Sequence, residues 1–502
     1  MNPVGRDRAA RPPRVLLVDP YVAREDPMER KYIELYPSLG LLTLAAYLRD
    51  HGAEVRIVDL TMARNLRPVT EALERFRPDL VGVHTKTLTA RRAVEIARLA
   101  GTAGAVAVAG GPDAASRPAE YLAAGFDCVV PGEGEATLAE LAEVAHRGGT
   151  LEGVAGTVVA LGDRLVRGPP RPFLRDLDAL PLPAWDLIDM EAYLHRWERR
   201  TGERRAAVLT SRGCPFDCSW CSKPTFGRSF RQQSPRRVVA ELRALVDRYG
   251  VDYVRFCDDV FGISRSWLDD LLTRMKEEVP DLRFECLARV DLLKPDLLAR
   301  MRGAGLARVY VGVESGSQKM LDLMNRGTRV SQIERAAEAL RREGIRQFWF
   351  LMLGYPGETL EDIETTLRLF RRFSPEEYSV SIAVPVPGTR FFDEVKGRMR
   401  AGTASARNGG RSLLYEARYP ERLYRWEQAR FQLEGALGRA RPKVGDRIVR
   451  RIGRVADRFH EQVATPLLTG ARRPPPGGGD PSRPIGGPAQ RSAGGTPGTE
   501  RG

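Results

Sequence analysis

Apolar runs alternate with amphipathic segments along the first third of the chain. The apolar runs are RVLLVDP, EVRIVDL, DLVGVHT, AVAVAGG and CVV, and the segments between them include GLLTLAAYLRDHG, TARRAVEIARLAG and PAEYLAAG. Buried strands that alternate with helices indicate a parallel, doubly wound sheet. The pattern therefore predicts a Rossmann-like α/β domain over residues 13–165, preceded by a flexible N-terminus over residues 1–12.

Two of the predicted strand ends in this domain carry glycine loops. They read GGPD at residues 110–113 and GEGE at residues 132–135. A doubly wound sheet binds its ligand beyond the carboxyl ends of its strands. These two loops are therefore candidates for a ligand site.

A second series of strands and helices follows a proline-rich connector. The connector, residues 166–200, contains RGPPRPFLRDLDALPLPAWD and indicates an interdomain linker. Over residues 201–400 the predicted strands are AAVLTS, YVRFCDD, RFECLAR, RVYVGVES, QFWFLMLGYPG and YSVSIAVPVPGT, each followed by a helical segment or a loop. Six such units predict a partial (β/α)6 barrel, which places its chemistry at the carboxyl ends of the strands.

Residues 401–470 are expected to be helical. In GDRIVRRIGRVADRF the residues Ile448, Ile452, Val455 and Phe459 follow at steps of four, three and four, so they form one helical stripe. We expect this stripe to pack on the barrel, because most apolar stripes face a core. The alternative is contact with a membrane surface or a lipid substrate, since arginines flank the stripe. Residues 471–502 contain one isoleucine and no other large apolar residue, and are expected to be disordered.

The composition narrows the setting in which the protein works. Six cysteines in 502 residues are too few for a disulfide scaffold, so a reducing cytoplasm is expected. No apolar run is long enough for a signal peptide or a membrane span. The net charge of +14 comes mainly from arginine and is not clustered with aromatic residues, so nucleic acid is not an expected partner.

Three of the six cysteines lie in SRGCPFDCSWCSKP, directly after the first predicted barrel strand. They are Cys214, Cys218 and Cys221. A structural zinc site normally has four ligands, but this stretch offers three thiols and no histidine, and His195 lies across the linker. An iron–sulfur cluster is the better match, and three thiolates would leave one iron open to substrate or cofactor. The other cysteines, Cys128, Cys257 and Cys286, are not expected to take part; Cys257 and Cys286 fall in predicted strands that could bury them.

The spacing CxxxCxxC, with Trp220 before the last cysteine, resembles the cysteine motif of the radical S-adenosylmethionine (SAM) superfamily. Supporting motifs are FCDDVF at 256–261, GVESGS at 312–317, MLGYPGET at 352–359 and PVPGT at 385–389. They resemble the branch that carries an N-terminal cobalamin-binding domain, and YPSLGLLTLAAYL, GGPD and GEGE are similar to that domain. The resemblance covers about residues 13–390.

The resemblance implies a cofactor set. Cys214, Cys218 and Cys221 would hold a [4Fe–4S] cluster whose fourth iron is chelated by the amino and carboxylate groups of SAM. Reduction of the cluster, by a donor such as flavodoxin or ferredoxin, would cleave SAM to methionine and a 5′-deoxyadenosyl radical. The radical would then abstract hydrogen from a small-molecule substrate.

Other strand ends match positions that contact SAM in the family. Asp258 and Asp259 would bind the SAM amino group, or alternatively cap the next turn. Arg289 would pair with the SAM carboxylate, or form an ordinary surface salt bridge.

Two further strand ends complete the implied SAM site. Glu314 and Ser315 match the position that contacts the ribose, where a carboxylate can accept both hydroxyls. Gly354 and Gly357, in a turn with Glu358, would allow close approach of adenine, or serve the turn alone.

The implied cobalamin site departs from a common pattern. Many cobalamin domains use DxHxxG, whose histidine binds cobalt, whereas this chain reads DPYVAR, with Asp19 and no histidine. His84 is the one candidate substitute, and its alternative is a simple hydrogen-bonding role. The four glycines of the two loops would line the groove for the nucleotide tail or would merely form turns; they are Gly110, Gly111, Gly132 and Gly134.

These implications favour a cobalamin-dependent methyltransferase acting on an unactivated carbon or phosphorus centre, in natural-product, lipid or cofactor biosynthesis. One SAM would remethylate cobalamin and a second would generate the radical. An oxidative cyclase or rearrangement enzyme that transfers no methyl group is the first alternative. A non-catalytic cobalamin or iron–sulfur sensor is the second. A peripheral contact with a membrane is compatible with each of them.

Overall fold

The structure, a computed structural model, describes residues 11–26, 35–222, 225–400 and 413–469. The N-terminal domain is built on a seven-stranded sheet with the order β2-β1-β3-β4-β5-β6-β7. Its strands are β1 (Arg14–Asp19), β2 (Glu54–Asp59), β3 (Leu80–His84), β4 (Val106–Gly110), β5 (Cys128–Val130), β6 (Val158–Leu161) and β7 (Arg164–Arg167). The first five strands are parallel, and β6 and β7 add an antiparallel hairpin at the edge.

Helices cover both faces of this sheet. They are α1 (Leu39–Asp50), α2 (Arg67–Phe76), α3 (Ala90–Thr102), α4 (Pro112–Ser116), α5 (Pro118–Ala123) and α6 (Glu135–Arg147). Alternate residues of β1 feed two separate cores, with Leu16 and Val18 on one face and Val15 and Leu17 on the other. The predicted doubly wound domain is confirmed, and its crevice lies at the carboxyl ends of β1 and β3, where the direction of winding changes.

The segment predicted as an interdomain linker contains regular secondary structure and buried side chains. It contains the end of β7 and the helix α7 (Met190–Thr201), and it buries Leu177, Leu180 and Trp185. Its prolines therefore shape a packed connection between the two domains.

At the N-terminal boundary of the first domain, Arg11 donates two hydrogen bonds to Asp79, at 2.7 and 2.8 Å, so order begins before residue 13. Residues 1–10 and 470–502 lie outside the described residues.

Six parallel strands form the second domain, in the order β15-β14-β13-β12-β11-β8. They are β8 (Arg205–Val208), β11 (Tyr253–Phe256), β12 (Arg283–Ala288), β13 (Leu306–Glu314), β14 (Arg346–Leu353) and β15 (Glu377–Ile382); a short antiparallel pair, β9 (Ser211–Arg212) and β10 (Arg231–Gln232), follows β8. Each strand pairs with the next along the chain, and β8 and β15 are the two edges. The predicted partial barrel of six units is confirmed.

The helices of the barrel pack on the outer face of the strands. They are α8 (Pro235–Tyr249), α9 (Arg265–Glu278), α10 (Pro295–Gly303), α11 (Gln318–Leu323), α12 (Val330–Arg342), α13 (Leu360–Phe373) and α14 (Arg390–Val395). Outward-facing strand residues such as Phe256, Cys286, Val311 and Trp349 join these helices in one large core. The inner face and the carboxyl ends of the strands are left for chemistry.

The predicted helical region is confirmed for residues 421–469. It consists of α15 (Glu421–Val444), α16 (Asp446–Phe459), a π-helical turn (His460–Ala464) and α17 (Thr465–Thr469). Among the described residues, no helix combines the length and the apolar character needed to cross a membrane.

The orientation of α16 overturns one expectation. Ile448, Ile452, Val455 and Phe459 are 52, 43, 62 and 48% exposed, so the stripe does not pack on the barrel. The helix instead turns a face with small residues inward, including Val449 and Ala456.

Candidate active site at the domain interface

The cysteine loop leaves β9 at the carboxyl edge of the barrel. Gly213 begins it with a φ of 78°, and a Cβ there would lie 2.3 Å from the carbonyl oxygen of Ser229, so only glycine fits. Three hydrogen bonds from two neighbouring segments then fix the loop. Ser219 N–H donates to Met324 O at 2.9 Å, the Asn325 side chain donates to Asp217 O at 2.6 Å, and Phe391 N–H donates to Ser219 O at 3.0 Å.

The three thiols of this loop differ in exposure. Cys214 is buried, Cys218 is half-buried and Cys221 is exposed, and none forms a disulfide. The Arg326 guanidinium donates to Cys218 Sγ at 3.4 Å and lies 5.9 Å from the centre of the Trp220 ring. Arg326 therefore contacts two residues of the cysteine loop, Cys218 and Trp220.

The remaining cysteines lie elsewhere in the two domains. Cys128 and Cys286 are fully buried, and burial raises the pKa of Cys128 to about 12, so it stays an inert thiol. Cys257 is exposed, just after β11, so the expectation that a strand would bury it is wrong.

Asp258 is buried, whereas its neighbour Asp259 is exposed. The buried Asp258 carboxylate accepts hydrogen bonds from the backbone N–H and the hydroxyl groups of both Thr210 and Ser211, at 2.5 to 3.1 Å. Burial raises its pKa to about 6, against the lowering effect of these hydrogen bonds. Asp258 therefore fixes the start of the cysteine loop, a role that differs both from binding SAM and from capping the turn that follows Asp259. Asp259 is exposed at the same strand end.

Arg289 is placed to receive an anion. Its side chain is 2% exposed, so it is not a surface salt bridge, although it does pair with Asp291 at 3.0 Å. The guanidinium lies 3.7 Å from the centre of the ring of Phe216, which belongs to the cysteine loop. Its NH1 group is buried and has no hydrogen-bond partner among the described residues. An orphaned cationic donor beside the thiol loop fits a carboxylate such as that of SAM.

Glu314 ends β13 in an unusual conformation. Its φ of 61° is left-handed, and the pairing of β13 with β14 shifts register between Gly312 and Glu314. Burial raises the pKa of the Glu314 carboxyl and Arg326 opposes that rise. Strained, buried carboxylates of this kind concentrate at functional sites.

Ser315 takes a different role from its neighbour. It is fully buried, and its hydroxyl lies 2.9 Å from Thr366 Oγ1 of α13, so it joins strand to helix and does not face the site. Arg326, which sequence reasoning missed, is the second polar residue of this region. It lies between Glu314 and the thiol loop and donates to Gly312 O at 3.0 Å.

The glycine turn after β14 is closed by Glu358. The carboxylate accepts from Gly354 N–H at 2.6 Å, while the Tyr415 hydroxyl donates to Gly354 O. Burial raises the pKa of Glu358 to about 8. Gly357 has a φ of 83°, in the left-handed region that favours glycine, so it serves the turn. Gly354 is packed against Tyr424 of α15, which ties the C-terminal helices to the site.

A cavity of about 320 Å³ lies between the two domains. All four predicted glycines line it from the first domain, and the barrel contributes Leu209, Arg212, Thr225 and Phe226. A Cβ on Gly111 would lie 2.7 Å from Thr85 O and 2.8 Å from the His84 ring, whereas a Cβ on Gly110 would project into open space. The glycines thus form a cradle that side chains would fill. Thr225 and Phe226 follow the cysteine loop, so the thiols and the cradle border one region.

His84 lies on the wall of this cavity beside Asp19. Its Nδ1 atom is 3.2 Å from Ser38 Oγ and 3.8 Å from Asp19 Oδ2. Burial raises the pKa of Asp19, but the hydrogen bond from His84 and the charge of Lys86 together hold it below its ordinary value. These contacts give His84 the hydrogen-bonding role at the carboxyl ends of β1 and β3.

An ion-pair cluster joins the domains at the edge of the cavity. Arg212 lies 3.1 Å from Glu133 and 2.6 Å from Glu135, and Arg231 lies 2.6 Å from Glu133. We refer to these four residues as the interdomain clamp. The sequence shows the GEGE loop but gives no sign that its acids are paired across the domain boundary.

The fold and the site define a two-domain enzyme class in which a three-thiol loop at the mouth of a partial barrel faces a glycine-lined crevice. Residues 208–370 match the Radical SAM superfamily, and residues 31–142 match the B12 binding domain. The chain belongs to the radical SAM superfamily, in the branch that carries an N-terminal B12-binding domain.

Individual proteins agree with this assignment. An uncharacterized methyltransferase of Pyrococcus horikoshii is 30% identical over 386 residues, which cover 76% of this chain and 82% of the relative. The anaerobic magnesium-protoporphyrin IX monomethyl ester cyclase of Rubrivivax gelatinosus is 29% identical, over 72% of this chain and 66% of the relative. The radical SAM methyltransferase TsrM of Kitasatospora setae, solved with cobalamin and a [4Fe–4S] cluster, has a similar fold, with a TM-score of 0.64 at 22% identity over 78% of this chain and 76% of TsrM.

Proposed function

We propose that this protein is a cobalamin-dependent radical SAM methyltransferase acting on an unactivated carbon or phosphorus centre of a small molecule. The observation that carries the proposal is the continuity of the thiol loop with the glycine cradle: Thr225 and Phe226 line the cavity four and five residues after Cys221. Methyl transfer through two cofactors needs both to face one space. The methyltransferase names of the Pyrococcus relative and of TsrM support the same reaction.

The chain's own residues suit this cofactor set. Cys214, Cys218 and Cys221 would hold three irons of a cluster and leave the fourth open, and the orphaned NH1 group of Arg289 would receive the SAM carboxylate. Glu314 would accept hydrogen bonds from the ribose hydroxyls. When bound, the cluster and SAM supply a radical and cobalamin supplies the methyl group.

The glycine cradle would receive the nucleotide tail of cobalamin. Gly110 faces open space in the cavity, and the α4 segment that follows the loop begins at Pro112. The interdomain clamp keeps the cradle closed over the barrel mouth, which would shield the reacting groups from water.

The chemistry also calls for an electron source. Cys221 is the exposed thiol of the loop, so we propose that a small redox protein such as flavodoxin or ferredoxin delivers electrons at this edge. Because none of the six cysteines forms a disulfide, we place the protein in the reducing cytoplasm.

The test is an anaerobic assay of protein reconstituted with iron, sulfide and cobalamin. With reductant and SAM, methylation of the bound cobalamin should release S-adenosylhomocysteine even without substrate, and a candidate substrate should add 5′-deoxyadenosine. Deoxyadenosine without any S-adenosylhomocysteine would contradict methyl transfer and favour the cyclase reaction. Absence of both products would favour a sensor. A Cys218→Ala variant is the matched control for deoxyadenosine formation.

A further inference from the structure

Helix α16 presents a row of large apolar side chains to solvent. The row continues past the helix through the π-helical turn into α17, and its members are 38 to 69% exposed: Ile448, Ile452, Val455, Phe459, Val463 and Leu467. We call this row the apolar ridge. A continuous exposed ridge of this kind marks an interaction surface.

The ridge faces outward because the opposite face of the helix is firmly attached. Asp457 pairs with Arg371 of α13 at 2.6 Å and with Arg430 of α15 at 3.2 Å. His460 is buried, and its Nδ1 accepts a hydrogen bond from Trp426 Nε1 at 3.0 Å. These contacts fix the rotation of α16, so the ridge cannot turn inward without breaking them.

Arginines run beside the ridge. On a helix with 3.6 residues per turn, four of them occupy the face next to the ridge and away from the attached side, and all four are exposed: Arg447, Arg451, Arg454 and Arg458. Arg450 lies nearer the attached side and pairs with Asp446 at 3.8 Å. Asp457 is engaged by Arg371 and Arg430, which leaves Asp446 and Glu461 as the exposed acids of residues 446–469. The surface therefore combines an apolar edge with a strongly positive flank.

The two undescribed segments that flank the C-terminal helices in sequence offer almost no large apolar side chain that could cover the ridge. Residues 401–412 contain no large apolar residue, and residues 470–502 contain one, Ile485. The second segment instead adds five more arginines. A second copy of the chain is also a poor occupant, since a symmetric contact would bring two arginine flanks together.

We propose that the apolar ridge and its arginine flank form a docking surface for an anionic phospholipid membrane. The ridge would enter the boundary between headgroups and acyl chains, and the arginines would contact the phosphates. This inference stands apart from the proposed methyl transfer, because it depends on no cofactor.

The position of the ridge gives such docking a consequence. Arg422, in the first turn of α15, donates to Leu468 O at 2.8 Å, which places the end of the ridge beside the start of α15. Tyr424 in the same turn packs against Gly354 at the carboxyl edge of the barrel. The end of the ridge, around Leu467, therefore lies near the edge at which the barrel opens.

The test is flotation of the full chain with vesicles of phosphatidylcholine alone or mixed with phosphatidylglycerol. The wild type should float with the mixed vesicles, bind the neutral vesicles more weakly, and be released by salt. The variant Ile452→Ser/Val455→Ser should bind the mixed vesicles about tenfold more weakly, and Arg451→Gln/Arg454→Gln should lose the preference for them.

Leu161→Ser/Leu165→Ser is the matched control, because it removes two exposed apolar side chains of the β6–β7 hairpin, 45 and 46% exposed. It should bind like the wild type, and all variants should keep the wild-type thermal midpoint. The proposal is overturned if the wild type ignores mixed vesicles, if the ridge variant binds them as well as the wild type does, or if light scattering shows a dimer that the ridge variant abolishes without vesicle binding.

Discussion

Arg212 of the barrel and Glu135 of the N-terminal domain form a buried ion pair 2.6 Å long across the domain boundary. Arg212 lies at the start of the cysteine loop, and Glu135 is both the last residue of the second glycine loop and the first residue of α6. One bond thus ties the thiol loop to the glycine cradle. Burial acts to lower the pKa of Arg212, but the Glu135 and Glu133 carboxylates raise it above its ordinary value, so the guanidinium stays charged.

Removal of this arginine should loosen the two domains. Arg212→Ala leaves Glu133 and Glu135 buried with one partner fewer. Breaking a buried ion pair in this way should lower the free energy of unfolding by about 3 kcal/mol. We expect a lower thermal midpoint and faster tryptic cleavage of the connector at Arg167 and Arg175, both of which are exposed. Arg67→Ala is the control, because its pair with Glu71 is largely exposed and should change stability by less than about 0.5 kcal/mol. Equal proteolysis rates for the two variants would contradict a clamp.

Asp258 should matter for cluster assembly through the loop that it holds. In Asp258→Asn a side-chain amide replaces the carboxylate that accepts hydrogen bonds from Thr210 and Ser211. The NH2 group cannot accept them, so the free energy of unfolding should fall by roughly 2 kcal/mol. We expect a lower thermal midpoint and reduced iron and sulfide content after reconstitution. Asp259→Asn, at the exposed neighbour, should keep the wild-type thermal midpoint and the wild-type iron and sulfide content. If Asp258→Asn incorporated a full cluster at the wild-type midpoint, the positioning role would be wrong.

Glu358 should make stability depend on pH. Burial raises its pKa from 4.5 to about 8, so the folded protein keeps a proton that the unfolded chain releases across this range. The contribution of this bound proton to the free energy of unfolding is therefore complete below pH 4.5. It is lost as the pH rises toward 8, by about 1 kcal/mol per pH unit. Glu358→Gln should match the wild type at pH 5 and show a higher thermal midpoint at pH 8. Glu361→Gln, at an exposed position, should follow the wild type at both pH values.

The three loop thiols should be separable from the rest. Cys214→Ala, Cys218→Ala and Cys221→Ala should each abolish 5′-deoxyadenosine formation, because each removes one of three cluster ligands. Cys257→Ala is the sharpest control, since this thiol is also exposed at the carboxyl edge of the barrel. It should retain cluster content and activity. Loss of the cluster in Cys257→Ala would show that the ligand set is not the loop alone.

The sequence by itself determined the architecture and the reactive loop. Strand and helix periods are local properties, so the doubly wound domain and the six barrel units follow from them. The spacing of Cys214, Cys218 and Cys221 is equally local, because the ligands of one loop lie within eight residues. The glycine loops could also be placed, since their position after buried strands puts them at one edge of the sheet.

Only the tertiary structure decided which of several partners each remaining group takes. Asp258 and Ser315 carry side chains that suit a ligand, but Thr210, Ser211 and Thr366, brought close by folding, occupy them. Arg326 and the interdomain clamp depend on residues far apart in the chain, and no local pattern reports such contacts. The apolar stripe of α16 shows the same limit. Its period in the sequence identifies the apolar side of the helix but not the direction in which that side faces. The ion pairs of Asp457 and the buried hydrogen bond of His460 hold the opposite face inward, so the larger apolar side chains stay exposed.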